Sequence, residues 1–131
     1  MLRGGFIGFG NVAAKGHLPG WQSVEGVQIV AATDAVANQG MAFLKACPRG
    51  RWHESVDDLL CDKALDFVDI CTPPNTHASL IKRALDAGLH VLCEKPLVTR
   101  LEDAQAVTAA AAASGRTVHV VHNWLKAAIC E

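Results

Sequence analysis

Gly5-Phe6-Ile7-Gly8-Phe9-Gly10-Asn11-Val12-Ala13 is the stretch on which the reading of the fold turns. A short apolar run of strand length opens directly into a glycine turn spaced G-x-G-x-x-[GA], and a helical segment follows. The next apolar run, Val27–Thr33, ends at Asp34, about twenty residues after Ala13 as a dinucleotide-binding unit requires. Each residue type has a physical reason. Gly8 permits the tight turn, Gly10 lets a pyrophosphate approach the backbone, and Ala13 is small enough for the helix to pack on the strand. The helix start, with Asn11 and Val12 in its first turn, offers N–H groups and the positive end of the dipole to phosphates. Asp34 would accept hydrogen bonds from the adenosine ribose hydroxyls. A carboxylate there repels a 2′-phosphate, and Ala35 and Val36 supply no cation to hold one, so NAD is expected ahead of NADP. The competing readings are a purely structural turn with Asp34 as a helix N-cap, and a site for S-adenosylmethionine, whose binding folds share both features.

Outward from this unit, apolar runs keep alternating with helical segments. Residues 36–46 read as a helix broken by Pro48-Arg49-Gly50, and a brief strand is expected at 51–53. Ser55 and Asp58 have capping-box spacing ahead of Leu59 and Leu60. A fourth strand at 67–71 stops at Thr72-Pro73-Pro74, because prolines cannot donate to a ladder. The helix at 76–87 puts Leu80, Ile81, Ala84 and Leu85 on one face and ends at Gly88. The fifth strand, 90–93, closes at Glu94-Lys95-Pro96. A helix at 101–113 contains Ala109 to Ala113, read as a tightly packed face, and a sixth strand lies at 117–121. Strands alternating with helices imply right-handed crossovers and a doubly wound parallel α/β sheet of three layers, helices on both faces. The expected division is a dinucleotide-binding domain over 1–121 and the start of a connection to a further domain over 122–131.

Composition narrows the partners. The 131 residues are half hydrophobic with a formal net charge of -1, which argues against nucleic acid or an acidic membrane held by bulk charge. No run is long enough to span a bilayer, and nothing near Met1 directs export. The five cysteines include no C-x-x-C pair, so reduced core thiols in a cytoplasmic protein are expected. His53, His90, His119 and His122 have no ligand-like spacing, so no metal is expected. Trp21 and Trp52 are read as buried side chains only.

In an open parallel sheet, ligands sit beyond the carboxyl ends of the strands, so residues 72–77 and 94–96 border the same crevice as the glycine turn. Val68 through His77, carrying T-P-x-x-x-H, and then Ala87 through Leu97, carrying A-G-x-H-V-x-x-E-K-P-L, resemble the Gfo/Idh/MocA oxidoreductases (glucose–fructose oxidoreductase, inositol dehydrogenase and relatives). Residues 11–20, with His17-Leu18-Pro19, resemble that family's first helix. The resemblance covers essentially the whole chain.

It implies a Rossmann-type dehydrogenase domain exchanging hydride between a bound nicotinamide and a sugar, cyclitol or similar polyol. Lys95 would lie beside the nicotinamide and the reacting carbinol, able to hydrogen-bond it or relay its proton, with Glu94 orienting Lys95 and Pro96 following a cis peptide bond. Thr72 and Pro73 would line the nicotinamide ribose through backbone contacts. Asn75 belongs to the same expected set, and His77 either joins the site or caps its helix. Asn123 and Trp124 resemble the segment leading into the family's second domain, Trp124 being a substrate-side wall or core packing. That domain normally supplies further catalytic residues and most substrate contacts, and the sequence is expected to stop before it, either as a fragment or as a shortened protein. Three hypotheses follow: an oxidoreductase domain active within a longer or complemented enzyme, a stand-alone dinucleotide-binding module, and a structural remnant. A missing domain would leave an apolar patch, so homo-oligomers are expected.

Overall fold

The computed structural model describes residues 1–122, so Asn123, Trp124, Cys130 and most of the expected connecting segment lie outside the described residues. Six parallel strands are ordered β3-β2-β1-β4-β5-β6. They are β1 (Leu2–Ile7), β2 (Val27–Thr33), β3 (Arg51–Trp52), β4 (Phe67–Ile70), β5 (His90–Cys93) and β6 (Val118–Val120). After β1 a π-helical segment (Val12–His17) runs into α1 (Leu18–Gln22). The remaining helices are α2 (Gln39–Ala46), α3 (Val56–Leu60), α4 (His77–Asp86) and α5 (Leu101–Ser114), with a 3-10 turn at Pro74–Thr76. β1 is the oldest strand in chain order yet lies in the middle. The chain winds outward through β2 and β3, then returns to β4 on the other side, which makes the β1–β4 boundary the topological switch point.

Period-two side-chain alternation builds two cores from one sheet. On one face Phe6, Ile29, Ala32 and Phe67 pack with Phe9, Ala13, Leu18 and Phe43 beneath the first helix and α2. On the other, Ile7, Val68, Ile70, Val91 and Cys93 meet Leu59 of α3, Leu80, Ile81, Ala84 and Leu85 of α4, and Val107 of α5. The register carries the strand ends to one level: Ile7 pairs with Thr33 and with Ile70, and Ile70 pairs with Cys93. Gly8, Asp34, Cys71 and Glu94 therefore all emerge at the same edge.

Several boundaries differ from expectation. β1 begins at Leu2 because residues 2–4 pair with Val27, Gln28 and Ile29 of β2, a tertiary effect that Leu-Arg-Gly does not announce. α2 begins only at Gln39, residues 35–38 remaining a turn. The alanine run of α5 is not a tightly packed face. Ala110 and Ala111 lean on the core, whereas Ala109, Ala112 and Ala113 are exposed. Alanine there serves helix propensity more than packing. No helix among the described residues is long and apolar enough to cross a membrane.

Candidate functional site

Gly8 has φ +88, a conformation L side chains rarely adopt, and a Cβ there would lie 2.9 Å from both the Cys71 carbonyl oxygen and Thr72 Cγ2. The close pass of β1 over the end of β4 thus depends on glycine. Gly10 is different: a Cβ there would meet nothing within 4 Å, so the protein leaves open space in front of that backbone. The N–H groups of the helix's first turn have no intrahelical partner. That open space and those donors fit a pyrophosphate.

Asp34, at the end of β2, accepts the Phe9 N–H at Oδ2 (2.7 Å) and the Val36 N–H at Oδ1 (2.8 Å). It therefore fastens the glycine turn to β2 and shapes the turn after it, and is not an N-cap. Gly8, Gly10, Asp34, Thr72 and Pro73 line one cleft of about 640 Å³. The same cleft holds Arg83 of α4, whose guanidinium pairs with the exposed Asp57. A cation does reach this end of the sheet, from α4 and not from the residues that follow Asp34. Asn11 and Val12 are exposed at the helix start, Val12 at 53%.

Two expected residues sit elsewhere. Asn75 lines the groove between α4 and α5 with Lys82, Arg100 and Asp103. His77 is wholly buried, with Nε2 2.8 Å from the Thr72 carbonyl and Nδ1 2.9 and 3.1 Å from those of Pro96 and Leu97. A ring with no exposed surface and both nitrogens facing backbone oxygens ties the 72–74 turn to the 94–97 turn, and so shapes the cleft from behind. Thr72 is likewise held, its hydroxyl 2.7 Å from that of Thr76.

Glu94, Lys95 and Pro96 form the turn after β5, with a cis Lys95–Pro96 peptide bond. Lys95 is exposed, and its ammonium pairs with no carboxylate among the described residues. Glu94 does not orient that ammonium. Its Oε2 accepts the backbone N–H of Lys95 (3.0 Å), and its Oε1 lies 2.7 Å from His17 Nε2. The other nitrogen of His17, Nδ1, sits 2.8 and 3.0 Å from the two oxygens of Asp69, a carboxylate wholly buried in β4. Trp21 Nε1–H donates to Asp69 Oδ2 at 2.7 Å, so Trp21 is a polar anchor as well as a buried ring. Hydrogen bonding to Asp69 raises the His17 pKa to about 8 against the opposing effect of burial, with the Asp69 charge and Glu94 adding to the rise. Burial, followed by the Asp69 charge, pushes the Cys71 thiol far up and the Cys93 thiol to about 12, so both stay protonated at neutral pH.

His17, Asp69 and Cys71 converge closely enough to suggest a metal. As the structure stands they form a hydrogen-bonded cluster, with His17 Nδ1 and Asp69 Oδ2 in direct contact at 2.8 Å. No local pattern announces it, because Asp69 and Glu94 lie 52 and 77 residues from His17. The available signal was Asp69 itself, a charge in the middle of an apolar strand.

With this geometry in view, comparison with known proteins becomes specific. Residues 2–122 match the model of the Gfo/Idh/MocA group, described as an oxidoreductase family with an NAD-binding Rossmann fold. The chain is 34% identical over 123 residues to a D-apiose dehydrogenase from Paraburkholderia graminis, covering 94% of this chain and 32% of that protein. Its fold superposes on the WlbA dehydrogenase of Chromobacterium violaceum, solved with NADH and UDP-GlcNAcA, with a TM-score of 0.92. Identity there is 25%, over 98% of this chain and 37% of that one. A 3-ketoreductase from Actinomadura kijaniata, solved with NADP and TDP-benzene, gives a TM-score of 0.86 at 30% identity, over 95% of this chain and 37% of that one. The chain spans about a third of the length of these relatives. It belongs to the Gfo/Idh/MocA oxidoreductase family, as that family's NAD-binding Rossmann-fold domain.

Proposed function

We propose that the cleft at the β1–β4 switch point binds NAD and presents its nicotinamide to a sugar, cyclitol or similar polyol. The observation that carries this reading is the convergence of the Gly8–Gly10 turn, Asp34 and the Thr72–Pro73 turn on one cleft. Gly8, Gly10, Asn11 and Val12 would face the pyrophosphate, Asp34 the adenosine ribose, and Thr72 and Pro73 the nicotinamide ribose. When bound, the nicotinamide exchanges hydride with the carbinol carbon. Lys95 would hydrogen-bond the carbinol oxygen and hold or pass on its proton, with Glu94 and Pro96 setting where that side chain starts. Hydride transfer also needs the carbinol held against the ring, and positioning dominates such barriers. A further domain, following a connection that begins near residue 122, would supply that pocket. The dinucleotide domain proper would be 1–121, working in the cytoplasm with its thiols reduced.

Calorimetric titration with NAD and NADP tests the cofactor assignment. Asp34→Ala is expected to weaken NAD binding roughly 10- to 100-fold, the range for a lost hydrogen bond to a charged group. NADP should be affected less. An unchanged NAD-to-NADP ratio would remove Asp34 from the ribose. NADP is the second reading, favoured by Arg83 in the cleft: its partner Asp57 is 86% exposed, and such a surface pair is readily given up for a phosphate.

Among the described residues no helix covers the sheet face beside the first helix over β5 and β6, where Leu92, Phe67 and His119 border a largely apolar hollow of about 320 Å³. We propose that a second copy of the 131-residue chain covers it, because its lining is almost wholly apolar. Light scattering should show association rising with concentration, weakened by Leu92→Arg; a monomer throughout would remove the idea.

A further inference from the structure

The buried cluster behind the Glu94–Lys95–Pro96 turn has a use beyond stability. We propose that His17 is a positioning residue for this turn, clasping Glu94 to Asp69 while protonated and releasing Glu94 when it loses its proton. The proposal rests on the reading of Lys95 as the group beside the nicotinamide.

Carboxylates only accept hydrogen bonds, so an imidazole bridging two of them satisfies both only when each ring nitrogen carries a proton. That is the arrangement here: Nδ1 contacts Asp69 at 2.8 Å and Nε2 contacts Glu94 at 2.7 Å. A neutral ring must set a nitrogen lone pair against one carboxylate. The two ends are unequal. Asp69 is wholly buried and is held by Trp21 Nε1–H and by the Cys71 thiol, which donates to Oδ1 at 3.4 Å. Glu94 sits at the mouth with 15% of its side chain exposed and can turn to water. The surviving proton therefore stays on Nδ1, and the bond that breaks is the one to Glu94. Because the other oxygen of Glu94 accepts the Lys95 N–H at 3.0 Å, the release is felt at the backbone from which Lys95 projects.

The remaining charged and titratable neighbours do not alter this sign. Asp69 comes from β4, the Cys71 thiol from just past its end, and the Cys93 thiol from β5; burial keeps both thiols neutral. Glu94 and the exposed Lys95 come from the turn, and α1 contributes Trp21, which does not titrate. On the same segment as His17, Lys15 is exposed and unpaired among the described residues. The π-helical winding, in which the Leu18 N–H reaches back to the Ala13 carbonyl, ends at His17. Such local insertions often mark functional positions.

The test is an NMR titration of the 131-residue chain without cofactor, following the His17 imidazole nitrogens and the Lys95 amide from pH 6 to 9.5. Both nitrogens should be protonated at pH 6.5, His17 should titrate near pH 8, and the Lys95 amide should move with the same midpoint. In Glu94→Gln the His17 midpoint should fall by about one unit or more, since one of two facing charges is gone, and the Lys95 amide should lose its response. His17→Gln should abolish the response outright. A His17 that is neutral at pH 6.5, or a Lys95 amide that ignores its titration, would overturn the proposal. Failure to bind dinucleotide would sink the functional reading instead, and leaves this titration readable.

Discussion

Gly8→Ala is expected to destabilise the chain by about 2–5 kcal/mol and to abolish measurable dinucleotide binding. Two costs combine. A non-glycine residue held in the left-handed region costs roughly 1–2 kcal/mol. The added methyl would also press on the Cys71 carbonyl and Thr72 Cγ2 at 2.9 Å. Overpacking of this kind costs about 1–3 kcal/mol, and backbone at a strand end cannot swing aside as a flexible side chain would. The total is a large share of the 5–15 kcal/mol typical of a domain. The turn and the end of β4 must also part, and both line the cleft. Gly10→Val separates binding from folding, because nothing stands within 4 Å of its Cβ direction. Urea unfolding should find it near wild type while calorimetry finds no binding, the side chain filling the space through which a pyrophosphate would approach. Equal stabilities for the two variants would mean that the pass of β1 over β4 tolerates a side chain.

The same contrast shows what was legible in the amino acids. A glycine turn, an acidic strand end and a proline stop are local signals, and each fell on the same edge of the sheet. β2 and β5 were read at their observed bounds because apolar runs there end on charged or turn-forming residues, Asp34 and Glu94-Lys95-Pro96. Residues 2–4 were missed as strand because pairing with β2, not their own pattern, extends them. The winding of Val12–His17 was hidden for a related reason: Val-Ala-Ala-Lys-Gly-His suits an α-turn as well as a wider one. The site divides in the same way. Asp34 could be placed from spacing, but its grip on the Phe9 N–H could not. Its position in the sequence suits His77 equally to the site and to a helix cap, and only the fold brings the Thr72 and Pro96 carbonyls around its ring. The pairing of His17 with Asp69 and Glu94 joins three distant segments, and only the sheet register sets Asp69, Cys71 and Glu94 on one face.

Asp69 is where the second large effect is expected. Asp69→Leu keeps an apolar volume in β4 but strips the acceptor from three donors at once: His17 Nδ1, Trp21 Nε1 and the Cys71 thiol. Replacing a whole buried polar cluster by hydrophobes is often tolerated, whereas removing one member leaves the others uncompensated, at about 3–5 kcal/mol. Asp69→Asn retains one acceptor for Trp21 and should lose less, about 1–2 kcal/mol. The pH dependence supplies an independent check. His17 has a folded pKa of about 8, above its unfolded value of 6.5, so its contribution is complete below pH 6.5 and is lost as pH rises through 8. A shift of that size corresponds to about 2 kcal/mol. Wild-type stability, measured by urea unfolding, should therefore fall by most of that amount between pH 6 and pH 8, below the range in which the unfolded chain's thiols ionise. In Asp69→Leu the largest cause of the raised pKa is gone, and the fall in this window should vanish with it. A variant as stable as wild type at pH 6, or one that keeps the full decline from pH 6 to pH 8, would show that Asp69 is not what holds the His17 proton.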